Sequence, residues 1–468
     1  MYRIPGGKRQ QGRVGEIVHF FEPEPKIRKM LVFFPCGHKY GSCAEGNQGE
    51  FCDAMMNNNL SISFPCVHYS SPALMLSMIL ATQFLQADDW PTFRGPNHDG
   101  ISLEKGWKAS ADSPVLWKAQ IGIGYSMPVI GGGKVIVAGH DGSEKDTLFC
   151  FDEMTGKEIW KLTYPQPLGD KFFQGGTTGT ATIDGSKVFW LSREGELFCL
   201  EAETGKVLWK VELQRDHGYK KPDWGFTGAP LVQGERVFLT AGDAGMALNK
   251  SDGMVIWKSK NGVAGYSTPY PFSHSGKDLI IFTNKRAYVC VDPDTGTEKW
   301  RVKWLTQYGV NAADPIISGD HVFLSSGYGK GATLVKMGSS GDPKKVWKNR
   351  DMRNQMNGCV LIDGFLYGID GGEKGDGQGL KCMDLMSGET KWTDKSVGFG
   401  TLSSADGKLL VLTESGELQI GVASPSGWKP EMKRKLLRPK VWTVPVLANG
   451  KIFCRNAAGE LLVVNVKS

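Results

Sequence analysis

Phe149-Cys-Phe-Asp-Glu-Met-Thr-Gly-Lys-Glu-Ile-Trp160 returns as Phe198-Cys-Leu-Glu-Ala-Glu-Thr-Gly-Lys-Val-Leu-Trp209, and this phrase decides the fold. Looser copies run from Ala247 to Trp257, Tyr288 to Trp300, Leu334 to Trp347 and Leu380 to Trp392. With Trp117, the repeat tryptophans Trp160, Trp209, Trp257, Trp300, Trp347 and Trp392 are spaced by 43 to 49 residues. A period in the forties accommodates four short strands and their turns, the size of one propeller blade and similar in architecture to WD40 repeats. The 61 glycines and the many β-branched and aromatic residues agree with an all-β chain.

Each unit opens on a turn before an apolar strand. Asp184-Gly185, Asp363-Gly364, Asp406-Gly407 and Asn449-Gly450 supply the positive φ of primed two-residue hairpins. A second turn follows at Glu194-Gly195, Ala244-Gly245, Ser415-Gly416 and Ala458-Gly459, and the Thr-Gly turn then leads into the tryptophan strand. Three turns make four strands. Units are expected at 125–162, 179–212, 227–259, 266–303, 311–348, 357–393 and 401–430, with a last one of three strands at 443–466. Its missing outer strand is available at the other end, in Pro114-Val-Leu-Trp117-Lys. Closure by that strand gives an eight-bladed propeller of four-stranded antiparallel blades and removes open sheet edges. The seventh unit is the least regular, so seven blades is the alternative.

The chain divides into a non-repetitive extension (1–72), an apolar stretch (73–87) and the propeller (88–468). Ala73 to Ala87 resembles a secretory h-region and cleavage region, with the cut expected after Ala87. It is shorter than the roughly 20 apolar residues of a membrane span. No basic residue lies between Met55 and Ala87. Either translation starts at Met55, Met56 or Met75, or a long n-region carries Lys26, Arg28, Lys29 and Lys39. A secreted or periplasmic chain is expected, and no lipid-anchoring cysteine follows the apolar stretch.

A formal charge of +6, from 55 basic against 49 acidic groups, does not point to nucleic acid or an anionic membrane. The basic run Lys429 to Lys440 reads as a solvated hairpin or edge. Cys36, Cys43, Cys52 and Cys66, with His38 and His68, contain no C-x₂-C pair and are not read as a zinc site. Cys150, Cys199, Cys290 and Cys382 occupy one repeat position in different blades and are expected as buried small hydrophobes.

The Asp-x-x-Thr-Gly-x-x-x-Trp phrase resembles the repeat of the pyrroloquinoline-quinone (PQQ)-type propellers, over about Trp90 to Val466. Trp90-Pro-Thr-Phe-Arg-Gly-Pro-Asn-His-Asp-Gly100-Ile-Ser, Ser325-Ser-Gly-Tyr-Gly-Lys-Gly331 and Gly364-Phe-Leu-Tyr-Gly368 are similar to secreted PQQ-like propellers of planctomycete-type bacteria. More distant similarity extends to quinoprotein and polyvinyl-alcohol dehydrogenases and to the BamB outer-membrane assembly lipoprotein. The resemblance leaves two functions open, a binding or scaffold module for protein or polysaccharide at the cell envelope, or a PQQ- and calcium-dependent periplasmic alcohol dehydrogenase. A sensor ectodomain is a third reading. The dehydrogenases' adjacent-cysteine lid, haem-attachment motif and large insertions have no counterpart here, so catalysis is not evident and no cofactor is required by the sequence.

A pocket is expected at the axial mouth, where loops enter the innermost strands. Tyr125, Trp224 and Tyr266 offer rings to stack a flat ligand or a sugar, or to pack between blades. Asn311, Asp314 and Asn357 form an oxygen-rich set for a cation or a base, or else bond local backbone before proline. Arg455 and Trp442 come from the last blade. Gly175-Gly-Thr-Thr-Gly179 precedes a strand rather than a helix and is not read as a phosphate cradle. His140-Asp141 reads as a strand end rather than a catalytic pair.

Overall fold

The computed structural model describes residues 89–171, 173–372 and 378–467. The expected extension, the signal-like stretch with its cut after Ala87 and the Cys36–Cys66 group lie outside the described residues.

Eight sheets form a ring, each ordered from an innermost to an outermost strand, with one 3₁₀ turn at Lys395–Val397. The blades cover residues 129–165, 182–212, 231–258, 270–303, 316–349, 360–394 and 400–435, numbered one to seven. Blade eight takes Val446–Ala448, Lys451–Arg455 and Glu460–Asn465, and its outer strand is the N-terminal Val115–Gln120, which pairs with Glu460–Asn465. The ring is therefore closed by strands from both ends of the chain, as the orphan Trp117 implied.

Sequence dictates the hairpins in two ways. In blades one, four, six, seven and eight both turn residues have positive φ, as at Asp363 (50°) and Gly364 (83°), which is the type I′ pattern. Blade two differs from expectation. Asp184 pairs with Lys187, so the turn is Gly185-Ser186 with only the glycine at positive φ, a type II′ pattern shared by blades three and five. The seventh blade also runs further than expected, past Pro430 to an outer strand Met432–Lys435 that carries no tryptophan. The basic run is thus an edge strand and its flanks. This blade gains a fifth strand, Ile101–Ser102, parallel to its inner strand Gly400–Ala405.

The repeat tryptophans join blades. Each outer strand bearing one shows a register shift beside it, and the bulge turns the indole across to the next blade. Trp117, Trp160, Trp209, Trp257 and Trp347 lie against Gly156, Gly205, Gly253, Gly296 and Gly388 of the following blade's turn, where a Cβ would come within 2.5–2.8 Å of the ring. Those glycines also hold φ of 69–75°, so the turn demands glycine twice over. The indole N–H donates to a backbone carbonyl next door, as from Trp160 to Ala202 O (2.9 Å) and Trp392 to Ser424 O (2.9 Å). The four repeat cysteines sit directly opposite Trp160, Trp209, Trp300 and Trp392 on the neighbouring strand and are buried free thiols. Between blades seven and eight the position is filled by Trp107, from the segment leading to the closing strand.

Candidate functional site

One end of the ring opens into a cavity of about 270 Å³, at the face where the chain enters the innermost strands. Its wall is drawn from a single repeat position. Tyr125, Thr178, Thr227, Thr268, Ala312, Met356 and Trp442 stand at the same offset before their hairpin turns, and all line the cavity. Phe399, the blade-seven counterpart, packs edge-on against Trp442 at 6.0 Å. Neighbouring loops add Phe173, Trp224, Tyr266, Tyr328, Gln355 and Asn357. Tyr125 stacks on Trp442 (5.2 Å, 26° between planes), whereas Trp224 and Tyr266 meet edge to face (5.7 Å, 84°).

The floor is Phe93, supplied by an N-terminal segment that crosses the ring. Trp90 exchanges backbone hydrogen bonds with Ile130 in blade one, and Pro91 O accepts from Ile183 N in blade two (2.8 Å). The Arg94 guanidinium then donates to Cys359 O at blade six (2.7 Å), and Gly100 O accepts from Ser404 N in blade seven (3.0 Å). Blades two and six face one another in a ring of eight, so the segment spans the axis and closes the funnel from below. Positive φ at Arg94 (65°) and Gly95 (79°) makes the sharp turn. Sequence reading recognised this motif as a family resemblance but not as a plug, since it has no repeat counterpart from which to place it.

Of the expected site residues, Tyr125, Trp224, Tyr266 and Asn357 meet in the funnel, while Asn311, Asp314 and Arg455 stand behind its wall. Asn311 donates to Asn284 O and Trp304 O. Arg455, fully buried, donates to the carbonyls of Ser126, Ala138, Gly122 and Asn456, and so ties blade eight to blade one. Burial lowers its pKa to about 9. Asp314 accepts from Thr268 N (3.0 Å), and burial raises its pKa to about 7 against the pull of Arg94. Asn357 donates to Trp442 O (3.3 Å). His140 is buried and its Nε2 meets Gln166 O at 2.9 Å, a strand-end contact rather than a catalytic one.

A family model described as outer membrane protein assembly factor BamB matches residues 170–394. The fold is that of the PQQ-like β-propellers. Among solved structures this propeller resembles BamB from Moraxella catarrhalis, with a TM-score of 0.56 at 16% identity over 75% of this chain and 99% of that one. It also resembles a europium-containing methanol dehydrogenase (TM-score 0.59, 13% identity, 83% and 91% covered). A third similar structure is the quinohemoprotein alcohol dehydrogenase ADHIIG from Pseudomonas putida HK5 (0.56, 12%, 81% and 80%). At these identities the likeness is one of fold. No curated protein matches the sequence.

The PQQ-like label raises the question of whether a quinone and a cation fit. Such a pair needs a carboxylate or several hard oxygens for the metal and positive charge for an acidic quinone. Among the described residues the funnel lining holds hydroxyls, amides and rings but no carboxylate, ammonium or guanidinium group. Arg94 and Arg455 are engaged with carbonyls, and Asp314 lies behind Thr268. No group of three or more His, Cys, Asp or Glu side chains comes together among the described residues. Among the described residues the donor set does not fit quinone and metal.

Proposed function

We propose that this PQQ-like propeller is a non-catalytic binding module of the cell envelope that works through its axial funnel. One observation carries the reading: the described wall of the funnel is built from rings, hydroxyls and amides without charge, closed below by Phe93. Catalysis by proton or hydride transfer would need a base or a redox group there, whereas recognition needs only shape, apolar faces and a few hydrogen bonds. The apolar stretch ending at Ala87 supports export. N-terminal sequencing of the exported protein is expected to begin at Asp88, and an intact upstream segment would contradict export by cleavage there.

The dehydrogenase reading is tested directly. The protein incubated with PQQ and Ca²⁺ is expected to show no stoichiometric quinone binding by calorimetry and no alcohol-dependent dye reduction. Tight one-to-one binding accompanied by dye reduction would replace the binding-module reading with an enzymatic one, in line with the fold likeness to the alcohol and methanol dehydrogenases.

A further inference from the structure

We infer that blades four and five carry, beside the mouth of the funnel, a docking site for an acidic segment of a partner protein, a role that goes beyond the funnel and does not depend on what fills it. Six cations meet there. In blade four Trp304 N donates to Arg286 O (2.7 Å) and Lys303 pairs with Ala287, which sets Lys285, Arg286 and Lys303 together. The Lys285 stem lies against Gly309, a position without room for a Cβ. From blade five the ammonium groups of Lys330 and Lys348 both lie over the buried Trp304 indole, 4.5 and 5.7 Å from the ring centre. Gly331, next to Lys330, packs on the backbone of Arg350.

None of the six makes an ion pair among the described residues. Asp243, on the blade-three side, is already held by Arg301 (2.8 Å) and Asn284 (2.9 Å), and Asp351, which follows Arg350, pairs with none of them. One ammonium on an indole is stabilised by the ring, whereas a second repels the first. Loss of hydration and the Lys348 charge together lower the Lys330 pKa. A carboxylate arriving between the two would offset that repulsion and gain charge-assisted hydrogen bonds.

The charge around the mouth selects the partner. Each blade's second strand runs back to the funnel face, so the turn after it opens there. On blades one, two, three and seven these turns carry the carboxylates of Asp141, Glu144, Glu194, Asp243 and Glu414, against Lys285, Arg286 and Lys330 on blades four and five. An anionic bilayer or a nucleic acid would press its phosphates on those carboxylates as well as on the cations. A short acidic segment fits the basic sector alone and is repelled by the rest of the rim. Leu305 and Tyr308, 43% and 50% exposed beside the cations, suit the apolar side chains of a polypeptide. Tyr308 meets Tyr328 edge to face (5.0 Å, 82°) and Tyr328 lines the funnel, so a segment docked here lies at its mouth.

The test is fluorescence anisotropy of a labelled glutamate-rich peptide carrying one leucine, titrated with the full chain and set against its glutamine counterpart, phosphatidylglycerol vesicles and a short single-stranded DNA. Binding of the acidic peptide is expected, weakened several-fold by added salt. The double variant Lys330→Gln/Lys348→Gln should lose at least tenfold in affinity without a lower melting temperature, since the like-charge repulsion goes with it. Lys285→Gln/Arg286→Gln, away from the indole, should lose affinity likewise, whereas Lys206→Gln, an exposed lysine in a turn at the opposite end of the ring, should change nothing. Affinity retained in both double variants, equal binding of the glutamine peptide, or no binding of either peptide would overturn the site. Tighter binding of the vesicles or the DNA would overturn the choice of partner.

Discussion

Trp160→Ala is expected to destabilise the propeller by about 3–5 kcal/mol, the range for truncating a large buried aromatic side chain. The indole is 8% exposed, sits opposite Cys150 and covers Gly205 of the next blade. Its N–H donates to Ala202 O, so the substitution removes ring packing and a hydrogen bond between blades together. Denaturant unfolding should show a lower midpoint with an unchanged slope. Gly205→Ala attacks the same contact from the other side. A Cβ there would lie 2.6 Å from the Trp160 ring at a backbone φ of 71°, so the indole must move. Once the indole is gone that clash disappears. The double variant should therefore be clearly less destabilised than the sum of the two singles, and simple additivity would show that ring and turn do not act as one contact. The same substitution at exposed Leu208 should change stability little.

This pairing of indole and glycine explains why the fold was legible. Trp160 and Gly205 are far apart in one blade-to-blade step but belong to the same repeated phrase, so the repeat records an inter-blade contact in local sequence. The cysteines were legible for a related reason: in four blades a cysteine at one repeat position faces the indole across the strand pair, a place that Leu334 takes opposite Trp347 and Val463 opposite Trp117. Repeat logic also located the funnel, since its wall comes from one offset before each hairpin. It did not sort the residues near that offset. Asp314 and Asn311 sit close to Ala312 in sequence, yet Ala312 lines the cavity and the other two are buried against backbone. Alternation along an extended chain turns Asn311 away from Ala312, but Asp314, two residues on, would share the side of Ala312 by that rule and is instead drawn onto Thr268 N, a tertiary contact that no local pattern records. The plug was illegible on different grounds. Trp90 to Ser102 occurs once, has no period, and is placed by contacts with four blades distant in sequence. The blade-seven outer strand was missed because it lacks the tryptophan that marks the others.

Behind the funnel wall, Asp314 should make the stability of the ring fall as pH rises. In an unfolded chain this carboxyl releases its proton near 3.8, while burial keeps it protonated in the fold up to about 7. Between those values the native state holds one more proton than the unfolded one, so raising the pH favours unfolding by about 1.4 kcal/mol per unit, on the order of 4 kcal/mol across the window at most. Two other buried groups titrate in the same range. Asp146, also raised to about 7 by burial, adds a slope of the same sign. His98, lowered to about 4 by burial and by Arg94, contributes the opposite sign from about 4 to 6.5. Asp314→Asn isolates one of the three, because its amide oxygen still accepts from Thr268 N while the titration is gone. Arg94 keeps its bonds to the His98, Asp99 and Cys359 carbonyls in either case. The difference in unfolding free energy between variant and wild type should be flat below pH 4, rise through pH 5 and 6, and level off above 7 in favour of the variant. A difference curve without slope in that window would mean that Asp314 ionises in the fold as it does in the unfolded chain, and that the space between Thr268 and Arg94 is open to water.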